Sequence, residues 1–383
     1  MRIQSTGVLV LNMLMALTLS TTVAAPPVEL DLANQRDRQF LVDRESGQYL
    51  GHPTTVLLED HKTILCVYPK GHGRGAIVYK RSHDGGRTWS QRLATPKSWA
   101  TSQEVPTIHR VIDANGKRRL IVWSGLYPAR LSVSEDDGKS WSELKPVGDW
   151  GGIVVMGSVV QLKTPGHYLA LFHDDGRFIA AEPQKANPAV MTLYQSLSKD
   201  GGLTWSRPRT IFASSEVHLC EPGCIRSPDG RQLAVLLREN RRRENSHIIF
   251  SNDEGQTWTK PRQVPMPLTG DRHTAKYSPD GRLLISFRCI SPTSERAKRP
   301  FEGDWVAWVG TYDDLVRNQP GQYFVRLMDN TKGHDTTYPG VEVLPDGTFV
   351  VTTYGHWTQG ESPYIMSVRI KLDELDAMAG FKK

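Results

Sequence analysis

SHDGGRTWS, residues 82–90, carries the strongest fold signal in the sequence, because its frame of Ser, Asp, Gly, Thr or Ser, and Trp at fixed spacing returns three more times. The later copies read SEDDGKSW from residue 134, SKDGGLTW from residue 198 and SNDEGQTW from residue 251. The tryptophans of successive copies are 52, 64 and 53 residues apart. A period of this size is typical of arrays in which each unit is a small sheet that buries its faces only against its neighbours.

A β-hairpin pattern precedes each copy of the frame, as two alternating apolar runs around a tight turn. These hairpins begin at residues 54, 109, 159 and 224, and two more, at 275 and 341, follow without a complete frame. Six hairpins predict an all-β, six-bladed propeller that forms one domain over residues 26–383. Within each frame, Asp accepts turn amide hydrogen bonds, Gly permits positive φ and Trp packs between strands, which predicts a structural and not a catalytic role.

The N-terminus carries a targeting pattern. Residues 1–25 combine Arg2 with a short apolar stretch and small residues near Ala25, which predicts a cleaved signal peptide and is too short for a membrane span. We therefore expect a secreted or periplasmic protein. The formal net charge of the whole chain is +6, which is compatible with an acidic ligand. Cys220 and Cys224 are spaced to close a short loop, and the sequence leaves both a disulfide and free buried thiols open.

The blade pattern also predicts where an active site lies. The innermost strands of a propeller converge on its axis, so equivalent positions of different blades face one another. Counting eight residues back from the turn aspartates at 60, 229, 280 and 346 gives, in order, His52, Glu221, Arg272 and Tyr338. The same count gives Thr107 and about Gly157 in blades two and three. Four large polar or ionisable side chains are too many for a packed core and indicate a binding or catalytic site.

The frames and hairpins resemble the Asp-box propellers of the sialidase (neuraminidase) superfamily. That resemblance implies a tyrosine nucleophile paired with a glutamate, an acid/base aspartate and three arginines that bind a sugar carboxylate. HDTTYPGVEVLPDG, from residue 334, resembles the nucleophile segment and implies Tyr338. CEPGCIRSPDG, from residue 220, resembles the glutamate segment and implies Glu221 and, at the end of the next strand, Arg238. GDRHTAKYSPDG, from residue 270, implies Arg272 as a carboxylate ligand. Arg288, at the end of LLISFR, is a candidate for a further inward cation, and a structural ion pair explains it equally well.

The first blade departs from the family pattern. It begins YLGHPTTVLL, with His52 where the family usually has an arginine motif. The loop that follows, YPKGHGRGAIVYKRS from residue 68, contains no acid where the acid/base aspartate normally stands. We expect His72 to carry the proton instead, because histidine serves as an acid or base near neutral pH, and Arg74 to supply the missing cation. Asp174 and Asp175 are alternative acids, although a turn also explains them.

These residues favour an exo-acting, retaining glycoside hydrolase of sialidase type, which releases a terminal acidic sugar such as sialic acid from glycoconjugates. The candidate catalytic residues are Tyr338, Glu221 and His72, and the candidate substrate-binding residues are Arg238, Arg272, Arg74, Arg288 and His52. His334 and Asp335 fall near rim positions within reach of a sugar. The alternatives are a propeller glycosidase or lyase acting on uronate- or rhamnose-containing polysaccharide with a histidine proton carrier, and a non-catalytic glycan-binding propeller.

The expected partner is a sialylated or other acidic glycan substrate. We expect no cofactor and no metal, and the sequence contains no nucleic-acid-binding module. A propeller closes its own sheet edges without a partner chain, so a monomer is expected.

Overall fold

A computed structural model describes residues 25–179, 190–296 and 299–381. The predicted signal peptide, residues 1–25, lies outside this part except for its last residue. Among the residues described, no helix is long and apolar enough to cross a membrane.

Two N-terminal strands precede the first predicted hairpin. They are β1 (Val28–Asp31) and β2 (Gln39–Asp43). A 3-10 helix, Arg36–Arg38, joins them. The sequence pattern did not predict either strand, because both are short and lack the alternation of apolar and polar residues that marked the hairpins.

The other strands form the predicted hairpins and the strands that follow them. Blades 1 to 3 contain β3 (Thr54–Leu57), β4 (Ile64–Pro69) and β5 (Ile77–Ser82); β6 (Thr107–Ile112), β7 (Arg118–Ser124), β8 (Arg130–Ser134) and β9 (Lys145–Pro146); β10 (Ile153–Gln161), β11 (Tyr168–Asp174), β12 (Met191–Ser198) and β13 (Arg209–Ser214). Blades 4 to 6 contain β14 (Leu219–Arg226), β15 (Leu233–Glu239), β16 (His247–Ser251) and β17 (Arg262–Gln263); β18 (Asp271–Tyr277), β19 (Leu283–Arg288), β20 (Trp305–Gly310) and β21 (Tyr323–Met328); β22 (Gly340–Val343), β23 (Phe349–Gly355) and β24 (Tyr364–Ile370). The helices are α1 (Tyr312–Arg317) and α2 (Leu372–Met378), with 3-10 turns at Lys97–Thr101 and Met266–Leu268.

Each group of strands is a separate antiparallel sheet, and the predicted six-bladed propeller is confirmed. Strands β3, β6, β10, β14, β18 and β22 are innermost and contact one another around the axis. Strand β2 pairs with β24 and becomes the outer strand of blade 6, while β1 adds to β21 of blade 5 in parallel. The N-terminal strands therefore complete sheets formed by the C-terminal half of the chain, which closes the ring.

Each Asp-box frame holds the turn that follows the third strand of its blade. In the first copy, the Ser82 hydroxyl donates to Asp84 Oδ1 at 2.8 Å and accepts from the Gly86 amide at 2.8 Å. Asp84 Oδ1 also accepts from the Thr88 amide at 2.9 Å. The same bonds recur around Asp136, Asp200 and Asp253. The predicted structural role of the repeat is therefore confirmed.

Apolar clusters between neighbouring blades form the core. The cluster between blades 1 and 2 includes Leu65, Tyr79 and Val122, and Trp141 of the second Asp box packs against it. Trp205 packs likewise between blades 2 and 3, and Trp258 between blades 3 and 4. The tryptophan of each Asp box therefore packs its blade against the preceding one. All four cysteines are free thiols, so Cys220 and Cys224 do not form the disulfide that the sequence left open.

Candidate active site

Near the start of the innermost strand of four blades lies a residue in the left-handed backbone region. These residues are His52, Glu221, Arg272 and Thr337, with φ of 54°, 51°, 56° and 60°. The eight-residue count from the hairpin turns gives the first three, and in blade 6 it gives the next residue, Tyr338. A left-handed non-glycine residue costs about 1–3 kcal/mol, and such strain is concentrated at functional sites. These left-handed residues therefore direct polar side chains toward the propeller axis, and the fold accepts backbone strain to do so.

Tyr338 and Glu221 meet across the axis although 117 residues separate them in the chain. The Tyr338 hydroxyl donates a hydrogen bond to Glu221 Oε1. The same oxygen accepts from Arg238 Nη1 at 2.7 Å. Both carboxylate and phenol are buried, with 3% and 7% of each residue exposed. The three residues that the sequence assigned to one reaction are thus in direct contact.

The electrostatics of this group separate the protonation states of its two acids. Burial and the neighbouring Glu221 carboxylate raise the pKa of Tyr338 well above its ordinary value. Burial opposes ionisation of Glu221, but Arg238 and the hydrogen bond from Tyr338 outweigh it, and the pKa of Glu221 is lowered. At neutral pH the pair is therefore a neutral phenol that donates to a carboxylate, which is the arrangement needed to remove the phenolic proton during attack.

Asp271, which the sequence analysis did not identify, binds three arginines of the site. Its fully buried carboxylate lies 2.7 Å from Arg288 Nη2, 2.6 Å from Arg242 Nη2 and 3.4 Å from Arg238 Nε. Burial opposes ionisation, but Arg238, Arg288 and Arg242 hold the pKa of Asp271 far below its ordinary range. Asp271 fixes the predicted ligands Arg238 and Arg288 in place and partly neutralises them.

Arg272 lies on the face of the Tyr338 ring, with its guanidinium carbon 5.6 Å from the ring centroid. Arg288 lies 5.7 Å from the same centroid. Arg272 Nη2 donates to the Met156 carbonyl at 2.8 Å, but its buried Nη1 has no hydrogen-bond partner within the described chain. A buried guanidinium nitrogen without an acceptor is costly, and a bound anion removes that cost. The arginines thus place positive charge and a free donor beside Tyr338, an arrangement that can hold an anion.

The two remaining substrate-binding candidates lie in blade 1. His52 is buried, and its ring centroid is 4.4 Å from that of Tyr338 and 4.8 Å from that of His72. Burial, with His72 and the positive charge of Arg288 nearby, lowers the pKa of His52 well below its ordinary value, so His52 is a neutral wall of the site. Arg74 is exposed on the loop between β4 and β5 and forms no hydrogen bond or ion pair with any described residue.

His72 lies on the same loop, at the mouth of the site, with 64% of its side chain exposed. Its Nδ1 is 2.7 Å from the Tyr49 hydroxyl and 3.5 Å from Asp335 Oδ1. The structure therefore brings His72 to the group around Tyr338, through His52, and adds Tyr49 and Asp335, of which the sequence had indicated only Asp335 as a rim residue.

Glu104 is a second acid that the sequence analysis missed. It lies just before β6, and its Oε1 is so near Gly73 that a Cβ on this glycine would approach it to 2.7 Å. Burial raises the pKa of Glu104, although the hydrogen bond from the Val105 amide and the nearby Arg74 and His72 side chains oppose the rise. In the segment SQEVPT, Glu104 lies beside an inner strand but three residues before Thr107, the position given by the hairpin count.

The alternative acids of blade 3 hold a turn. Asp174 is buried and accepts from the Gly176 amide at 2.9 Å and the Phe178 amide at 3.1 Å. Asp175 binds Arg177 with an Nε–Oδ1 distance of 2.7 Å. The turn interpretation of these two residues is therefore the one that their contacts support.

A family model described as a BNR repeat-like domain matches residues 120–351, more than half of the chain. The chain belongs to the BNR repeat-like family of the sialidase superfamily. A sialidase from Clostridium perfringens is 25% identical to this BNR-repeat propeller over 286 residues, which cover 68% of the chain and 61% of the relative. The chain thus spans less than two thirds of that relative's length.

Solved structures share the fold at low sequence identity. A protein of unknown function from Dyadobacter fermentans has a TM-score of 0.67 and 17% identity, over 87% of this chain and 97% of the other. The intramolecular trans-sialidase from Ruminococcus gnavus, solved with oseltamivir carboxylate, has a TM-score of 0.58 and 13% identity, over 85% of this chain and 95% of the other. At these identities the likeness concerns the propeller fold alone.

Proposed function

We propose that the protein is a retaining exo-α-sialidase that releases a terminal acidic sugar, such as sialic acid, from glycoconjugates. The observation that carries this proposal is the hydrogen bond from the buried Tyr338 phenol to the Glu221 carboxylate, with arginines on the face of the tyrosine ring. The Clostridium perfringens relative is a sialidase, which supports the same reaction class.

The anomeric carbon of sialic acid bears a carboxylate, which accounts for the choice of nucleophile. A carboxylate nucleophile would repel this group at close range, whereas a neutral phenol does not. Arg238, Arg272 and Arg288 bind the substrate carboxylate, and Arg272 Nη1 supplies a donor that has no partner within the described protein. Bidentate guanidinium contacts fix the plane of the carboxylate and so orient the anomeric carbon toward Tyr338.

The reaction proceeds in two displacements. In the first, the Tyr338 oxygen forms a bond to the anomeric carbon, Glu221 takes the phenolic proton, and the leaving oxygen takes a proton from His72. In the second, water attacks the same carbon, His72 takes a proton from that water, and the bond to Tyr338 breaks as Glu221 returns its proton. Two inversions at one carbon retain its configuration. His52 forms the wall of the sugar site beside Tyr338.

We further propose that residues 1–25 direct export, that the mature chain acts outside the cytoplasm on sialylated glycans, and that it is a monomer. The sequence pattern of residues 1–25 and the closed ring of blades support these statements.

The test is release of a fluorophore from an α-linked aryl sialoside by the purified mature protein across about pH 4 to 8, beside Tyr338→Phe. The proposal expects release by the unaltered protein and a loss of at least about 100-fold in Tyr338→Phe. Release from a uronate or rhamnoside substrate, with none from the sialoside, would favour the alternative carbohydrate enzyme. Binding of glycans without turnover of any of them would favour a binding propeller.

A further inference from the structure

Asp335 is a carboxylate held by donors from three segments of the chain, outside the group formed by Tyr338, Glu221 and the arginines. Its Oδ1 accepts from the Tyr49 hydroxyl at 2.7 Å and the Tyr354 hydroxyl at 3.3 Å, and its Oδ2 lies 3.2 Å from His356 Nε2. Partial burial opposes ionisation, but hydrogen bonds from His72, Tyr49 and His356 outweigh it and keep the pKa of Asp335 below its ordinary range. Asp335 is therefore a fixed anion at the edge of the site.

The contacts of Tyr49 determine which nitrogen of His72 carries its permanent proton. Burial and the charge of neighbouring groups raise the pKa of Tyr49, so it remains a phenol with a single proton to donate. Because that proton is directed to Asp335, the Tyr49 oxygen at 2.7 Å from His72 Nδ1 acts as an acceptor. His72 Nδ1 therefore carries a hydrogen, and Nε2 is the nitrogen that exchanges its proton.

We propose that Asp335, acting with Tyr49, is the positioning residue that makes His72 the proton carrier, in place of the acid missing from the loop at residues 70–75. This proposal rests on the proposed sialidase function. The His72 Nε2–H bond breaks as its proton passes to the glycosidic oxygen and the bond between that oxygen and the anomeric carbon breaks. In the second displacement the neutral Nε2 takes a proton back from water. Asp335 stabilises the charged imidazolium and does not itself touch the substrate.

Four titratable groups face His72, and one of them is the rival proton donor. Tyr49 and Asp335 lie on its Nδ1 side, the neutral ring of His52 lies 4.8 Å away, and Glu104 lies against Gly73 of the same loop. If Glu104 were the acid, its removal would have the effect that the proposal assigns to His72 and Asp335.

The first experiment compares leaving groups. A general acid matters for a sugar alcohol leaving group and little for an acidic phenol, so kcat/KM is measured with sialyllactose and with 4-nitrophenyl sialoside. The proposal expects Asp335→Asn and His72→Ala to lose about 100-fold on sialyllactose but less than about 5-fold on the aryl sialoside. Glu104→Gln then shows no such difference. An equal loss on both substrates, or the difference appearing in Glu104→Gln alone, overturns the proposal.

Asp43→Asn is the matched control. Like the partly buried Asp335, the buried Asp43 carboxylate accepts from a tyrosine, Tyr68, and it binds Arg92 with an Nε–Oδ2 distance of 2.7 Å, away from the site. Replacement of Asp43 is expected to destabilise the fold and to lower kcat/KM equally for both substrates.

The second experiment needs no turnover. The ¹⁵N NMR signals of the neutral His72 ring are expected to show a hydrogen on Nδ1 in the unaltered protein and a loss of this preference in Asp335→Asn. A hydrogen on Nε2 of the neutral ring would overturn the proposal. If the unaltered protein hydrolysed neither sialoside, the proposed function would fail, whereas the ring signals would still decide whether Asp335 positions His72.

Discussion

Replacement of Asp271 by asparagine removes the carboxylate that holds three arginines around the Tyr338–Glu221 pair. Asp271 has no exposed surface, and Arg238, Arg242 and Arg288 all contact it. The isosteric amide keeps the shape of the side chain but leaves three largely buried guanidinium groups without this counter-charge, and of the three only Arg238 keeps an ion pair with Glu221. We expect both the stability of the fold and the position of Arg238 to suffer.

The size of the stability loss follows from the burial of this charge. Removing one partner of a buried ion pair costs about 3–5 kcal/mol, since the other partner stays desolvated. A domain of about 350 residues has an unfolding entropy near 0.7 kcal/mol per kelvin, so a loss of about 4 kcal/mol lowers Tm by roughly 6 °C. Turnover is also expected to fall, because Arg238 donates to Glu221 and forms an ion pair with Asp271.

Differential scanning calorimetry at several pH values is the measurement. The pKa of Asp271 is lowered in the folded protein, so its contribution to stability is complete above the ordinary value of about 3.9 and is lost as pH falls through the folded value. The Tm difference between the two proteins is therefore expected to be constant from about pH 5 to 8 and to shrink only in stronger acid. A Tm difference below about 1 °C with full activity would refute this account of the arginine cluster.

Three further predictions concern the pair at the axis and the repeats. Glu221→Gln is expected to lower kcat/KM at least 100-fold, because the amide cannot take the phenolic proton. In the unaltered protein Arg238 and the hydrogen bond from Tyr338 lower the pKa of Glu221, so the loss of activity that follows protonation of Glu221 should lie below the ordinary range of a glutamate. Burial lowers the pKa of His173 to about 4, and its Nδ1 accepts a hydrogen bond at 3.3 Å from the backbone amide of Glu221, the residue in the left-handed conformation. His173→Phe should therefore lower kcat about tenfold, with the secondary structure unchanged by circular dichroism. Asp84→Ala removes the acceptor of two turn amides and should cost about 2 kcal/mol in urea unfolding with unchanged kcat, whereas a change in kcat would contradict a purely structural repeat.

The fold was predictable because its signals are local. Each Asp box and each hairpin is contained in a few residues, and the number of hairpins gave the number of blades. The pairing of β2 with β24 was not predictable in this way, because it joins residues at opposite ends of the chain and β2 carries no pattern of its own. Closure of the ring is a property of the tertiary structure.

Some residues of the candidate site were predictable from the blade count, and others, such as Arg238, from the resemblance to a known family. Glu221 and Tyr338 occupy counted positions, and they are in contact. Asp271 precedes the counted residue Arg272, and alternation along a strand sends neighbouring side chains to opposite faces. The bulge between residues 271 and 274 breaks this alternation, so both side chains reach the site. Glu104 was missed for a different reason, since it lies in a loop outside any strand register.

Tyr338 is tested as the nucleophile most directly by trapping the sugar on this residue. A sialosyl fluoride with a second fluorine at C3 forms the covalent intermediate through loss of fluoride, and the electron-withdrawing fluorine slows its hydrolysis. After incubation with the mature protein, digestion and mass spectrometry, we expect one fluorosialosyl group on the peptide that contains Tyr338 and none on Tyr338→Phe. A group attached to Glu221, or full hydrolytic activity in Tyr338→Phe, would contradict a tyrosine nucleophile.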